Sequence, residues 1–229
     1  RVGDYLRTKS TAPRQALPYY QERLKRPQVN GRSIAEFGLA DIYGKAGSKD
    51  EMSTAIGMME KILKNKDNSK KNRDKASSRI VKIYAKQENW NKVIEAGKAY
   101  LAEFTKDRTN VQVILAQAYK EKKMFAECIA TNMGIFASNT ANWNVSVPAM
   151  DTATALMWDH GASKEGKSKQ QLAYEVAGGY IKSSRAAFDK NKDDMTEEVR
   201  TSWKRIDARV IKWESSGTIQ SFADMEKDQ

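Results

Sequence analysis

With 229 residues, 40% apolar and 30% charged, the chain is long enough to bury a substantial core and has an ordinary globular balance. Four prolines, one cysteine and no run of about 18 apolar residues argue against a turn-rich all-β fold, an internal disulfide and a membrane-spanning helix. The formal charge of +11 favours acidic partners (nucleic acid, an anionic membrane surface or an acidic protein), against the plainer reading of a solvated lysine-rich helical surface.

Val2, Tyr5 and Leu6 read as the end of a helix. A second helix is predicted from about Ala12 to Arg26, capped by Ser10 or Thr11 and closed by Pro27. Its apolar positions are Ala16-Leu17, Tyr20 and Leu24. This start inside a hairpin predicts that further helices precede Arg1.

The next pair opens with Leu39-Ala40 followed by Tyr43, turns at Gly44–Lys49, and continues with Ala55-Ile56, Met59 and Leu63. Gly-Lys-Ala-Gly-Ser-Lys in that turn lacks the spacing of a phosphate-binding loop. Lys64 to Lys75 carries six cations against two aspartates and reads as a solvated connection. The same two patterns then return twice. Ile80-Val81 with Tyr84 precedes Val93-Ile94, Gly97 and Leu101. Leu115-Ala116 with Tyr119 precedes Cys128-Ile129, Asn132 and Phe136. Thr154-Ala155 with Trp158 is a fainter copy. Steps between the aromatics are 41, 35 and 39 residues, and between the second helices 39, 38 and 35. Offsets of one, four and eight residues place these side chains on one helical face.

Past a polar stretch, a helix is predicted over 147–160 and ended by Gly161, a loop over 161–168, and a helix over 169–190. Thr196 is a fair N-cap, with Glu197 and Glu198 suited to a first helical turn. Val199, Trp203, Ile206, Val210 and Trp213 form a single apolar stripe, and residues 215–229 are a polar tail.

Two amphipathic helices per unit of roughly 34 residues resemble the tetratricopeptide (TPR) repeat family. The resemblance covers residues 1–137: a half repeat over 1–30 and repeats over about 33–65, 76–105 and 110–137. It implies an all-α fold, a right-handed α-solenoid of antiparallel helix hairpins. Residues 145–214 would add a further hairpin and a C-terminal capping helix. The implied function is a non-catalytic protein-protein interaction scaffold holding a peptide or protein segment in its concave groove. First-helix residues would line that groove: Phe37, Asp41 and Lys45, then Lys75, Ser78, Arg79, Lys82 and Lys86, then Asn110, Val113, Gln117 and Glu121. Lys75, Arg79, Lys82, Lys86 and Gln117 are the expected partner-binding residues. The four cations share one face and suit an acidic segment or a terminal carboxylate, against the plainer reading of a solvated face. Lys75 and Arg79 resemble one half of the carboxylate clamp of chaperone-binding members, but Phe37, Gly38 and Asp41 stand where its other half is wanted. Divergent repeats with a basic surface also resemble the helical repeats of bacterial cell-envelope assembly proteins.

No constellation for catalysis, metal or cofactor emerges. His160 lies at a predicted helix end, and Cys128 occupies a small-residue position of a packed helix. One histidine and one cysteine cannot supply four zinc ligands. The alternative function is nucleic-acid binding, suggested by the net charge and by Trp90, Trp143, Trp203 and Trp213, although three of these lie in packed patterns.

Overall fold

Pro18 sets where the first helix begins. Lacking an N–H, it cannot donate to the Arg14 carbonyl, so the α-helical ladder starts only around it. Within the helix expected from Ala12 to Arg26, Pro13–Ala16 accordingly form a 3-10 turn and α1 runs Leu17–Lys25; Ala12 and Arg26 lie outside the described residues. The computed structural model describes residues 13–25 and 32–216. Its further helices are α2 (Arg32–Ala46), α3 (Lys49–Lys64), α4 (Lys70–Lys86), α5 (Trp90–Glu103) and α6 (Arg108–Glu121). They are followed by α7 (Phe125–Ser138), α8 (Trp143–His160), α9 (Lys169–Asn191) and α10 (Glu197–Ser215). Among the described residues every regular element is helical. The expected helix end at Val2–Leu6, the cap of the next helix at Ser10 or Thr11, Pro27, the Lys45 side chain and the tail beyond Ser216 lie outside the described residues.

The chain divides into two units, one ending at Ala118 and the other beginning at Tyr119. In the first, consecutive helices from α1 to α5 pack on one another, and α2 also touches α4. Val93 and Tyr100 of α5, and Phe104 just after it, share a core with Val111 and Ala118 of α6. In the second unit α8 is central: it packs on α7, α9 and α10, and α9 also packs on α10.

The first helix of each pair buries the same face. In α2 this face is Ala35, Leu39, Ala40 and Ile42, ahead of a half-buried Tyr43. In α4 it is Ala76, Ile80, Val81 and Ile83, ahead of Tyr84. Val111, Leu115, Ala116, Ala118 and Tyr119 repeat it in α6. So do Ser146, Met150, Asp151, Ala153 and Thr154 in α8. The opening residues Ala35, Ala76, Val111 and Ser146 are 41, 35 and 35 positions apart. The last copy therefore sits one helical turn earlier than Thr154-Ala155 with Trp158 suggested. Its polar members hid it, while Trp158 is used elsewhere, stacked on Trp213 at 4.2 Å.

The backbone repeats as well. Asn89 N–H donates to Tyr84 O at 3.0 Å, and 35 residues later Met124 N–H donates to Tyr119 O at 2.8 Å. Each turn bends through a left-handed residue, Glu88 (φ 54°) and Lys123 (φ 56°). Val111 N–H to Asp107 O and Ser146 N–H to Asn142 O, again 35 apart, open α6 and α8 alike. For this reason α8 begins at Trp143 rather than near Val147.

The lysine-rich run is shorter as a connection than its charge implies. Only 65–69 link α3 to α4, and Lys70–Lys75 are helical. Ser69 Oγ accepts the Asn72 N–H at 3.3 Å, and Asn68 Nδ2 donates to Ile62 O at 3.1 Å, fixing both ends. The lysines point outward while Asp74 is drawn in. At Gly44–Lys49 the expected hairpin turn is present, with Ser48 and Glu51 forming a reciprocal capping box. Gly161 ends α8 with φ −63°, an ordinary conformation; its need is steric, since a Cβ would lie 2.5 Å from Met157 O.

Gly38 is where α1 and α2 meet. A Cβ there would lie 2.4 Å from the buried Tyr20 ring. Gly38→Ala is expected to destabilise the first unit by about 1–2 kcal/mol, an overpacking cost that outweighs the gain in helix propensity. Gly57→Ala, where a Cβ meets nothing within 4 Å, should instead stabilise by up to about 1 kcal/mol. Urea unfolding of the two variants checks this, and equal effects would show that Tyr20 gives way.

Candidate functional site

The outward face of α4 and its neighbours enclose a groove of about 490 Å³. On α4, Lys75, Ser78, Arg79 and Lys82 recur at steps of three and four, opposite the face that buries Ile80 and Ile83. α2 supplies Asp41, and the segment leading into α6 supplies Lys106 and Asp107. Three of the expected partner-binding residues thus come together: Lys75, Arg79 and Lys82. Lys86, one turn on, and Gln117 on α6 are exposed but do not line the groove.

Most of the charge on this face is matched within the chain. Arg79 grips Asp41 with two bonds, Nε to Oδ1 at 2.6 Å and Nη2 to Oδ2 at 3.1 Å. Its guanidinium also lies 4.9 Å above the Phe37 ring. Lys82 Nζ reaches Asp107 Oδ2 at 2.6 Å. Burial pushes the Asp107 carboxyl up, but hydrogen bonds from Lys82, Asn110 and Ser78 outweigh it and hold the group below its ordinary range. From beneath, the fully buried Tyr100 donates to Asp74 Oδ1 at 2.8 Å and accepts the Asp107 N–H at 2.7 Å. The groove therefore has four cations against three carboxylates, a net +1.

Lys75 and Lys106 are both exposed and make no ion pair or hydrogen bond among the described residues. They are the two cations at the groove left to meet a ligand. Lysine spacing alone found Lys75, Arg79 and Lys82. Asp74, Lys106 and Asp107 were missed, because a run of charge reads as a loop and the two loop residues belong to no helical stripe. Asp41 was visible as a groove residue, but nothing local marks it as the partner of an arginine 38 positions away.

The remaining candidates have structural surroundings. Cys128 is buried in α7 beside Asn132, and burial pushes its thiol up, away from the reactive thiolate. His160 closes α8 with its ring stacked on Phe125 at 3.8 Å. Trp203 and Trp213 are buried, the first stacked on Phe188 at 4.0 Å. Among the described residues no helix is long and apolar enough to cross a membrane. No protein-family model matches the chain, and no curated protein matches it.

Proposed function

We propose that the chain is a non-catalytic interaction scaffold of divergent tetratricopeptide-type hairpins. In this reading the hairpins form a right-handed α-solenoid with α10 as its cap, and a segment of a partner protein lies against the first helices. Support for the repeat comes from the burial face shared by α2, α4, α6 and α8 and from the turns related by 35 residues. The observation that carries the binding role is the α2–α4 groove, where Arg79 and Lys82 are matched by Asp41 and Asp107 while Lys75 and Lys106 stay unpaired. A net +1 suits a segment bearing one carboxylate, an acidic side chain or a chain terminus, better than a long acidic run. Nucleic-acid binding has less support, since Trp203 and Trp213 are buried and cannot act as stacking platforms.

The test is binding of the full chain to a peptide array, set beside a Lys75→Glu, Lys106→Glu double variant. The variant should lose roughly tenfold or more in affinity for carboxylate-bearing peptides, the equivalent of at least about 1.4 kcal/mol, with its unfolding unchanged. Equal recovery by both proteins would remove the groove assignment. Arg79→Glu should behave differently and lower stability, because it sets two carboxylates together.

A further inference from the structure

Outside the groove already described, the second unit carries a face that none of its described residues occupies. α9 and α10 are tied together at two points: Tyr174 Oη donates to Glu214 at 3.0 Å, and Arg185 pairs with Asp207 at 2.6 Å. Between these ties lies an open groove of about 480 Å³ with apolar surface from Ile181, Val210 and Ile211. Ile211 is 56% exposed, more than any other large apolar side chain among the described residues. The groove stays open because α9 carries Gly178 and Gly179 along it. A Cβ on Gly179 would meet nothing within 4 Å, and one on Gly178 only the Tyr174 ring at 3.9 Å. Both glycines weaken a 23-residue helix relative to alanine, yet no side chain among the described residues of the unit uses the space they leave.

The charges beside the glycines identify what fits. Glu175 stands three residues before Gly178, and Lys182 three residues after Gly179. All four residues line the groove, and the spacing keeps them on one helical face. Both charged residues are exposed. Lys182 has no ion pair among the described residues, and Glu175 has one exposed contact, to Lys167 at 2.7 Å.

We infer that this face pairs with itself in a second copy of the chain. Two α9 helices cross antiparallel at the glycine pair, which lets the backbones approach closely. Glu175 of each copy then meets Lys182 of the other, and Ile211 is drawn out of water. The arrangement is isologous: one two-fold axis through the glycines satisfies both ion pairs at once. A parallel crossing would set Glu175 against itself, and a partner of a single charge sign would leave one of the two residues facing a like charge.

Sedimentation of the full chain from about 1 to 100 µM tests this. The wild type should approach twice 25.8 kDa as concentration rises. Glu175→Lys and Lys182→Glu should each raise the dissociation constant roughly tenfold or more. An equimolar mixture of those two variants should associate again, because every mixed pair restores opposite charges. That recovery also shows that both variants are folded. Gly179→Leu should prevent pairing without loss of helical content. A wild type that stays monomeric over this range overturns the inference and leaves the groove to a different protein's helix. So does association of Glu175→Lys as tight as that of the wild type.

Discussion

Asp151→Ala is expected to destabilise the second unit by about 3 kcal/mol, although alanine is what the preceding copy carries at the same position. Asp151 is 6% exposed in α8. Its Oδ2 accepts from Arg205 through Nε at 2.8 Å and Nη2 at 2.7 Å, and its Oδ1 is held by Arg209. Arg209 also donates to the Asp151 main-chain oxygen at 3.0 Å. The two arginines are four residues apart and so share one face of α10. Without the carboxylate, two guanidinium groups face each other, and the Arg209 side chain is three-quarters buried. Breaking a buried pair costs about 3–5 kcal/mol, and the exposure of Arg205 places this case at the low end. Replacing all three, Asp151→Ala with Arg205→Met and Arg209→Met, should recover most of the loss, since an apolar substitute for a buried ionic cluster is close to neutral. Tryptophan fluorescence during urea unfolding suits the measurement, because Trp143, Trp158, Trp203 and Trp213 all belong to this unit. A loss in the single variant below about 1 kcal/mol would mean that the cluster is a surface feature.

Tyr100→Phe is expected to cost the first unit about 2–3 kcal/mol. The hydroxyl serves the buried Asp74 carboxylate and the half-buried Asp107 N–H, and phenylalanine leaves both without it. The same site makes the unit sensitive to alkali. Burial first, and then the bond to Asp74, push the Tyr100 phenol up to about 12. In the unfolded chain a tyrosine ionises near pH 10. As pH rises from about 10 towards 12, the unfolded state gives up its proton while the folded state keeps it, so stability falls across that window by up to about 3 kcal/mol. Below pH 10 both states hold the proton and the group contributes no slope. Burial pushes Tyr180 to about 12 as well, so the second unit should weaken in the same window. Urea midpoints at about pH 9 and pH 11 give the comparison. The first unit of Tyr100→Phe should lose less than the wild type between them, and an equal loss would assign the slope to other groups.

The repeat was legible where its members are apolar. Tyr43, Tyr84 and Tyr119 mark successive first helices because an aromatic recurs behind an aliphatic pair, and the structure buries those faces. The copy in α8 was legible only as a displaced trace. Ser146, Asp151 and Thr154 fill the same positions with polar groups, the last two satisfied by side-chain hydrogen bonds, and periodicity of hydrophobicity cannot register them. The turns at Glu88 and Lys123 were equally hidden, since a left-handed backbone is ordinarily signalled by glycine or asparagine. At the groove, sequence supplied the cations and their common face. It could not show that Arg79 and Lys82 are already bound, because their partners lie 38 and 25 residues away along the chain.

The position shared by Val81, Ala116 and Asp151 also bears on which helix can follow α8. Helical repeats lengthen by duplication, because the free face of each copy matches the next one. Val81 and Ala116 accept any neighbour of suitable volume. Asp151 accepts only a helix that presents guanidinium groups four residues apart, as α10 does with Arg205 and Arg209. Another copy placed there would bury a solitary negative charge. The carboxylate thus acts as a key for this step, admitting α10 and refusing a helix without the two arginines.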